Sequence, residues 1–210
     1  MIICLANRRD MKSINILYVV IFLAIGILSF SFANQSGEDY ADEALTSDTS
    51  TEPFDKMMSV LMHKRCVNCH PAGDIPLQGE DSHLHNFDIK RGQKDHGLAG
   101  YQCGTCHQEE NNDYSGVPGA PEWAVAPKEM AWEGKTRVEI ATQMMDPARN
   151  GNRSHAEILK HLTEHKLVLW AWDPGVDAEG TPREKPPVPK DEYIAAVKEW
   201  IDAGAVIPVK

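Results

Sequence analysis

The sequence predicts a mainly α-helical, loop-rich domain, and three observations lead to this prediction. Apolar side chains recur at helical spacing in several segments between residues 54 and 203. Stretches rich in glycine and proline separate these segments. The pentapeptide Cys-x-x-Cys-His occurs twice, at residues 66–70 and 103–107. We therefore expect the helices to surround whatever group these two motifs bind.

The first 33 residues are predicted to direct export. Three basic residues precede an apolar run over residues 14–32, and the small-x-small sequence at 31–33 is typical of a cleavage site. A cleaved signal peptide is the first expectation. The run also approaches the roughly 20 residues of a membrane span, so an uncleaved anchor that tethers the protein to the inner membrane is the alternative. Both predict a periplasmic domain.

Residues 34–53 are predicted to form an acidic, flexible linker. The segment carries six acidic residues and no Lys or Arg. A chain of this composition buries too little apolar surface to offset the entropy lost on ordering. The remaining residues, 54–210, are enough for one compact domain or for two small lobes, one around each motif.

A helix is predicted at the start of this domain. Its apolar side chains fall at i, i+3, i+4 and i+7, on one face of a helix that continues into the first motif. The residues of this stripe are Phe54, Met57, Met58 and Leu61.

The two motifs predict two covalently bound haem c groups. Two thiols at this spacing each form a thioether with one vinyl group of the same porphyrin, and the histidine that follows binds the iron. A zinc ribbon is the alternative, but its two Cys-x-x-Cys pairs usually lie about 15–20 residues apart, whereas 33 residues separate these pairs. The predicted attachment residues are Cys66, Cys69, Cys103 and Cys106, and the predicted proximal iron ligands are His70 and His107.

Beyond the second motif, residues 108–135 are predicted to be loop, and helices follow. Capping boxes at Thr136-x-x-Glu139 and Ser154-x-x-Glu157 predict two helix starts. The short apolar run LVLWAWDPG, residues 167–175, is predicted to be strand-like. A last helix is predicted over about residues 191–203, closed by a glycine cap at position 204.

Several of these segments resemble a known family. CVNCHPAGD, CGTCHQ, DPARNGNR, LVLWAWDPG and the terminal WIDAGA are similar to segments of small exported dihaem cytochromes, sometimes labelled isoquinoline 1-oxidoreductase subunits. The resemblance spans about residues 55–208. It implies a dihaem cytochrome c domain, with class I cytochrome-like helices around two covalently bound haems. It also implies an electron-carrying partner of a molybdenum-containing hydroxylase, rather than the hydroxylase itself.

The second axial ligand of each iron is expected among the other histidines. His85 follows the first motif through a loop long enough to fold back. On the helix over residues 154–166 the apolar face favours His165, while the family resemblance favours His161. We predict His85 and His161, with His165 or Met130 as the alternatives. Candidates for bonding the haem propionates are Arg149, Asn150 and Arg153.

The function predicted first is periplasmic transfer of single electrons on two haems, without catalysis. The expected partners are exported redox proteins, either a molybdenum hydroxylase or a respiratory donor or acceptor. The net charge of −10 and the lack of a basic cluster argue against nucleic-acid binding. The alternative is a small peroxidase-like dihaem enzyme with one open coordination site, a class whose chains are usually longer.

Overall fold

The structure, a computed structural model, describes residues 51–209. The predicted export segment and nearly all of the predicted linker lie outside the described residues. The first helix begins at Glu52, two residues before the predicted domain boundary at Phe54. Within the described range, no helix is both long enough and apolar enough to cross a membrane.

The described part of the chain is partly helical, with long loops and a few very short strands. The helices are α1 (Glu52–Leu61), α2 (Lys64–Val67), α3 (Cys103–Cys106), α4 (Arg137–Met145), α5 (His155–Glu164), α6 (Lys166–Leu169) and α7 (Lys190–Asp202). The strands are β1 (Leu77–Gln78), β2 (His83–Leu84), β3 (Gly97–Leu98) and β4 (Tyr101–Gln102). Single 3-10 turns cover Asn86–Asp88, Lys128–Met130 and Trp170–Trp172.

The hydrophobic core lies among helices α1, α4, α5 and α7. All four apolar residues of the predicted stripe on α1 are buried, so that prediction is confirmed. Helix α7 packs against α1, and the rings of Phe54 and Trp200 have their centroids 6.0 Å apart. Burial of this apolar surface is the main stabilising contribution to the helical part of the domain.

The predicted helix ends around α4, α5 and α7 are confirmed. At each capping box the hydroxyl of the first residue accepts from the backbone N–H three residues on, and the glutamate accepts in return. The pairs are Thr136 with Glu139 and Ser154 with Glu157. Helix α7 ends at Asp202, and Gly204 adopts a φ of 90°, which glycine tolerates best.

Removing one of these caps has a predictable cost. Ser154→Ala is expected to lower the free energy of unfolding by about 1 kcal/mol, because the Glu157 N–H loses its acceptor. Ser59→Ala, in the interior of α1 and exposed, is the control and should change it by less than about 0.5 kcal/mol. Denaturant unfolding of both variants tests the prediction, and equal losses would contradict it.

The predicted single helix running into the first motif is wrong. Helix α1 ends at Leu61, and His63 has extended backbone angles, with a φ of −72° and a ψ of 150°. The His63 side chain accepts from the Arg65 backbone N–H and so caps the separate short helix α2. Cys66 therefore lies on its own helical turn, whose direction is set by this cap.

The strand-like prediction for residues 167–175 is also wrong. Helix α6 covers Lys166–Leu169, and the 3-10 turn Trp170–Trp172 follows it. A short apolar run closed by a turn is compatible with either a buried strand or a helical segment, and here residues two apart in the 3-10 turn point to different sides. Trp170 contacts Trp123, while Trp172 packs against Tyr193 in the core.

Between the two motifs, the turn-rich stretch forms two small antiparallel hairpins, β1–β2 and β3–β4. The second hairpin leads directly into α3, and its Gly97 has a φ of 90°. A Cβ atom added to Gly97 would lie 2.4 Å from the Tyr101 carbonyl oxygen, so the turn requires glycine. The Cys103 N–H donates to the His96 carbonyl, which holds the second motif against the hairpin.

Candidate functional site

The first motif lines a cavity of about 440 Å³. Cys66, Cys69 and His70 all contribute to its wall. This volume falls within the roughly 300–1,000 Å³ typical of small-molecule and cofactor sites. The apolar part of the wall comes from Leu61, Val125, Leu162, Leu167 and Val168.

His70 is held in the orientation of a metal ligand. Its Nδ1 lies 2.7 Å from the Met130 carbonyl oxygen, and its ring stacks on Trp132 with centroids 3.6 Å apart. Because a carbonyl oxygen only accepts, Nδ1 carries the proton and Nε2 keeps its lone pair for a metal. Burial lowers the pKa of His70 to about 4, so the ring is neutral at pH 7.

His161, one of the two predicted distal ligands, lines the same cavity from helix α5. Burial, Arg153 and His165 lower the pKa of His161 to about 4, in that order of importance. His165 also lines the cavity, but its Nε2 lies 3.0 Å from the Glu122 carboxylate. The contact with Glu122 thus occupies one ring nitrogen of His165, while its Nδ1 is buried without a hydrogen-bond partner.

Met130, the alternative distal ligand, does not line this cavity. Its side chain is buried in the hydrophobic core rather than in the wall of the cavity. Its backbone carbonyl accepts the hydrogen bond from Nδ1 of His70 and so helps to fix the orientation of that ring. Met130 thus supports the proximal histidine through its backbone, a role that the sequence gave no reason to expect.

At the second motif His107 lines a more open cavity of about 830 Å³, but neither Cys103 nor Cys106 contributes to its wall. The Nδ1 of His107 lies 2.7 Å from the Pro118 carbonyl oxygen, and its ring stacks on Trp123 with centroids 4.4 Å apart. Burial lowers the pKa of His107, against this hydrogen bond. Cys103 is buried, whereas Cys106 is exposed. Each motif thus pairs its histidine with one backbone carbonyl and one tryptophan.

His85 lies beside the second motif, although it does not line this cavity. Its ring centroid is 6.0 Å from that of His107, and its Nδ1 is 2.8 Å from the Asn86 carbonyl oxygen. A metal–imidazole bond is about 2 Å long, so two imidazoles on opposite sides of one metal have centroids roughly 6 Å apart. His85 and His107 have this separation, with their ring planes 72° apart in an edge-to-face arrangement. His96, which sequence reasoning did not select, lines both cavities.

The two cavities share part of their walls. The residues that line both are Lys94, His96 and Glu122. The two candidate sites are therefore neighbours, separated by one layer of side chains. These three residues form the common wall of the two cavities.

Of the three residues predicted to bond propionates, only Arg153 lines a cavity. Arg149 forms an ion pair with Asp146, with 3.6 Å between nitrogen and oxygen. Asn150 is buried and bonds the backbone of its own loop through both amide atoms. The remaining cations in the wall of the first cavity are Arg65 and Lys94.

The four cysteines of the motifs are free thiols, and Arg65 lies near those of the first motif. Burial raises the pKa of Cys66 to about 12 and that of Cys69 to about 11. A neutral sulfur, as in a thiol or a thioether, suits this environment better than a thiolate does. Within residues 51–209, no three or more His, Cys, Asp or Glu side chains are grouped to hold a bare metal ion.

Comparisons of the chain with protein-family models, with curated proteins and with solved structures gave no match. The two motifs and the local geometry around them are therefore the observations that bear on function. Sequence reasoning missed the two histidine–tryptophan stacks and the carbonyl acceptors. Their only sequence signal is the position of Trp123 and Trp132 in the loop that follows the second motif.

Proposed function

We propose that the protein is a periplasmic electron-transfer protein that carries single electrons on two covalently attached haem c groups. The observation that carries this proposal is the repeated arrangement of His70 and His107. Each follows a Cys-x-x-Cys pair, each donates from Nδ1 to a carbonyl, and each has a second histidine nearby. Second-shell bonds of this kind are typical of metal-ligating histidines.

The residues have distinct roles in this proposal. Cys66 and Cys69, and in the second site Cys103 and Cys106, form the thioethers. His70 and His107 are the proximal ligands, and His161 and His85 are the distal ligands. When bound, haem iron supplies one-electron redox chemistry.

The chain's own contribution is to orient the ligands and to limit access of water. The apolar wall of the first cavity suits a porphyrin ring, and Arg153 and Lys94 suit its carboxylates. Two histidines on one iron close its coordination and favour electron transfer over small-molecule chemistry. This distinguishes the proposal from the peroxidase-like alternative.

We further propose a dihaem cytochrome c domain of the kind that the motif segments resemble. Exported redox proteins are the proposed partners, either a molybdenum hydroxylase or a respiratory donor or acceptor. The net charge of −10 favours a partner with a basic docking surface. The N-terminal segment, cleaved or retained as a tether, would bring the domain to the periplasm.

Mass spectrometry of protein purified from the periplasm tests the proposal. We expect a mass equal to the polypeptide plus two haems, because each motif holds one by two thioethers. A Cys66→Ala, Cys69→Ala variant should lose one haem, and a Cys103→Ala, Cys106→Ala variant should lose the other. The mass of the bare polypeptide would overturn the proposal. Tight cyanide binding by the wild-type protein would instead favour the enzyme.

A further inference from the structure

A chain of aromatic contacts links the two sites. Trp123 stacks face to face on His107, with planes 5° apart, and meets Trp170 edge to face, with centroids 5.0 Å apart. Trp123 lines the second cavity, whereas Trp170 lines the first. The contacts therefore run from the predicted iron ligand of the second site to the wall of the first.

Hydrogen bonds hold Trp170 to the loop of the second motif. Its indole N–H donates to the Asn111 side-chain oxygen at 2.8 Å, and the Gly119 N–H donates to the same oxygen at 3.0 Å. Gly119 directly follows Pro118, whose carbonyl accepts from Nδ1 of His107. One loop thus fixes both the hydrogen bond of His107 and the position of Trp170.

We propose that Trp123 and Trp170 are positioning residues that couple the two haem sites. Trp123 fixes the plane of the His107 imidazole, and Trp170 holds Trp123 in place from the wall of the first site. This inference rests on the proposed function. Its physical basis is that the edge-to-face contact with Trp123 and the partly buried hydrogen bond to Asn111 each restrict rotation of the Trp170 ring.

Trp172 provides a matched control within the same turn. It is two residues from Trp170 but lies on the opposite side of the chain. Its indole N–H donates to the Val188 carbonyl at 2.8 Å, and its ring packs on Tyr193. A substitution there disturbs the core without touching the aromatic contacts between the sites.

The test uses the full chain with both haems attached. The ferric electron paramagnetic resonance signal of a low-spin haem depends on the orientation of its axial imidazole planes. The signal of the second haem is identified by its loss in the Cys103→Ala, Cys106→Ala variant. Trp123→Leu and Trp170→Leu should each shift this signal, whereas Trp172→Leu should leave it in place. Because Trp170 acts through Trp123, the double variant should shift it no further than Trp123→Leu alone.

Trp170→Phe keeps an aromatic ring but removes the hydrogen bond to Asn111, so it should fold and give a smaller shift in the same direction. The inference is overturned if Trp170→Phe and Trp170→Leu retain two haems and leave the second signal unchanged. It is equally overturned if Trp172→Leu shifts that signal as much, or if the two single shifts add in the double variant. A wild-type protein without haem would instead overturn the proposed function.

Discussion

His161→Ala is expected to open the coordination of the haem at the first motif. His161 lines the cavity that contains Cys66, Cys69 and His70, and its neutral ring is the predicted sixth ligand. Without it, one of the two irons should become high-spin, so about half of the low-spin absorbance is lost and one equivalent of carbon monoxide binds per chain after reduction. Optical spectra with and without carbon monoxide measure both effects.

His165→Ala is the matched control for this variant. His165 shares the cavity wall, but its Nε2 is bound to Glu122, so both irons should stay low-spin. If His165→Ala opens the site and His161→Ala does not, the ligand assignment at the first motif is wrong.

The wild-type spectrum should also resist acid. The folded-state pKa of His161 is lowered from 6.5 to about 4, mainly by burial. In the chain without haem the ring therefore stays neutral, and able to bind iron, as the pH falls through 6.5, and it takes up its proton around pH 4. A bound iron would compete with the proton and move the loss of the ligand to still lower pH. An acid titration that showed loss of the ligand near pH 6.5 would contradict this assignment.

His85→Ala should have the corresponding effect at the second motif. The His85 ring centroid lies 6.0 Å from that of His107, and no regular helix holds it there. Its removal should leave the second haem high-spin and open to cyanide, with the first haem unchanged. In the background of His161→Ala the loss of low-spin absorbance should be complete, because the two ligands serve different irons.

Variants of two neighbouring histidines, His83 and His96, test whether His85 is the distal ligand at the second motif. His83 is exposed, and its Nδ1 is 2.6 Å from the Asp81 carboxylate, so His83→Ala should leave both haems low-spin. His96 lines the second cavity itself, which His85 does not. A high-spin change in His96→Ala, with none in His85→Ala, would transfer the role of distal ligand to His96.

Local sequence signals predicted those parts of the structure that depend on local chemistry. The two capping boxes needed only residues three apart, and the α1 stripe needed only helical spacing. The proximal histidines are fixed by the motifs, and the structure places each at a cavity. His161 lies in the wall of the first cavity, whereas His85 lies beside His107 of the second motif and lines neither cavity.

The features that sequence reasoning missed depend on contacts between distant segments. His70 stacks on Trp132, which lies more than sixty positions away along the chain, and neither sequence context signals the other. The break before Cys66 depends on His63 acting as a helix cap, which is an unusual use of that residue. The turn at Trp170–Trp172 lies in a short apolar run, and the periodicity of such a run cannot distinguish a strand from a helical segment.

If haem binds at both motifs, as proposed, the common wall would prevent the two irons from being tuned independently from that side. A charge gained or lost at Lys94 or Glu122 is close to both cavities, so it would move both midpoint potentials in the same direction. A difference between the two potentials must therefore come from the outer walls. The outer walls of the two sites already differ. Arg65 and Arg153 line the first cavity, whereas Cys106 of the second motif is exposed to solvent.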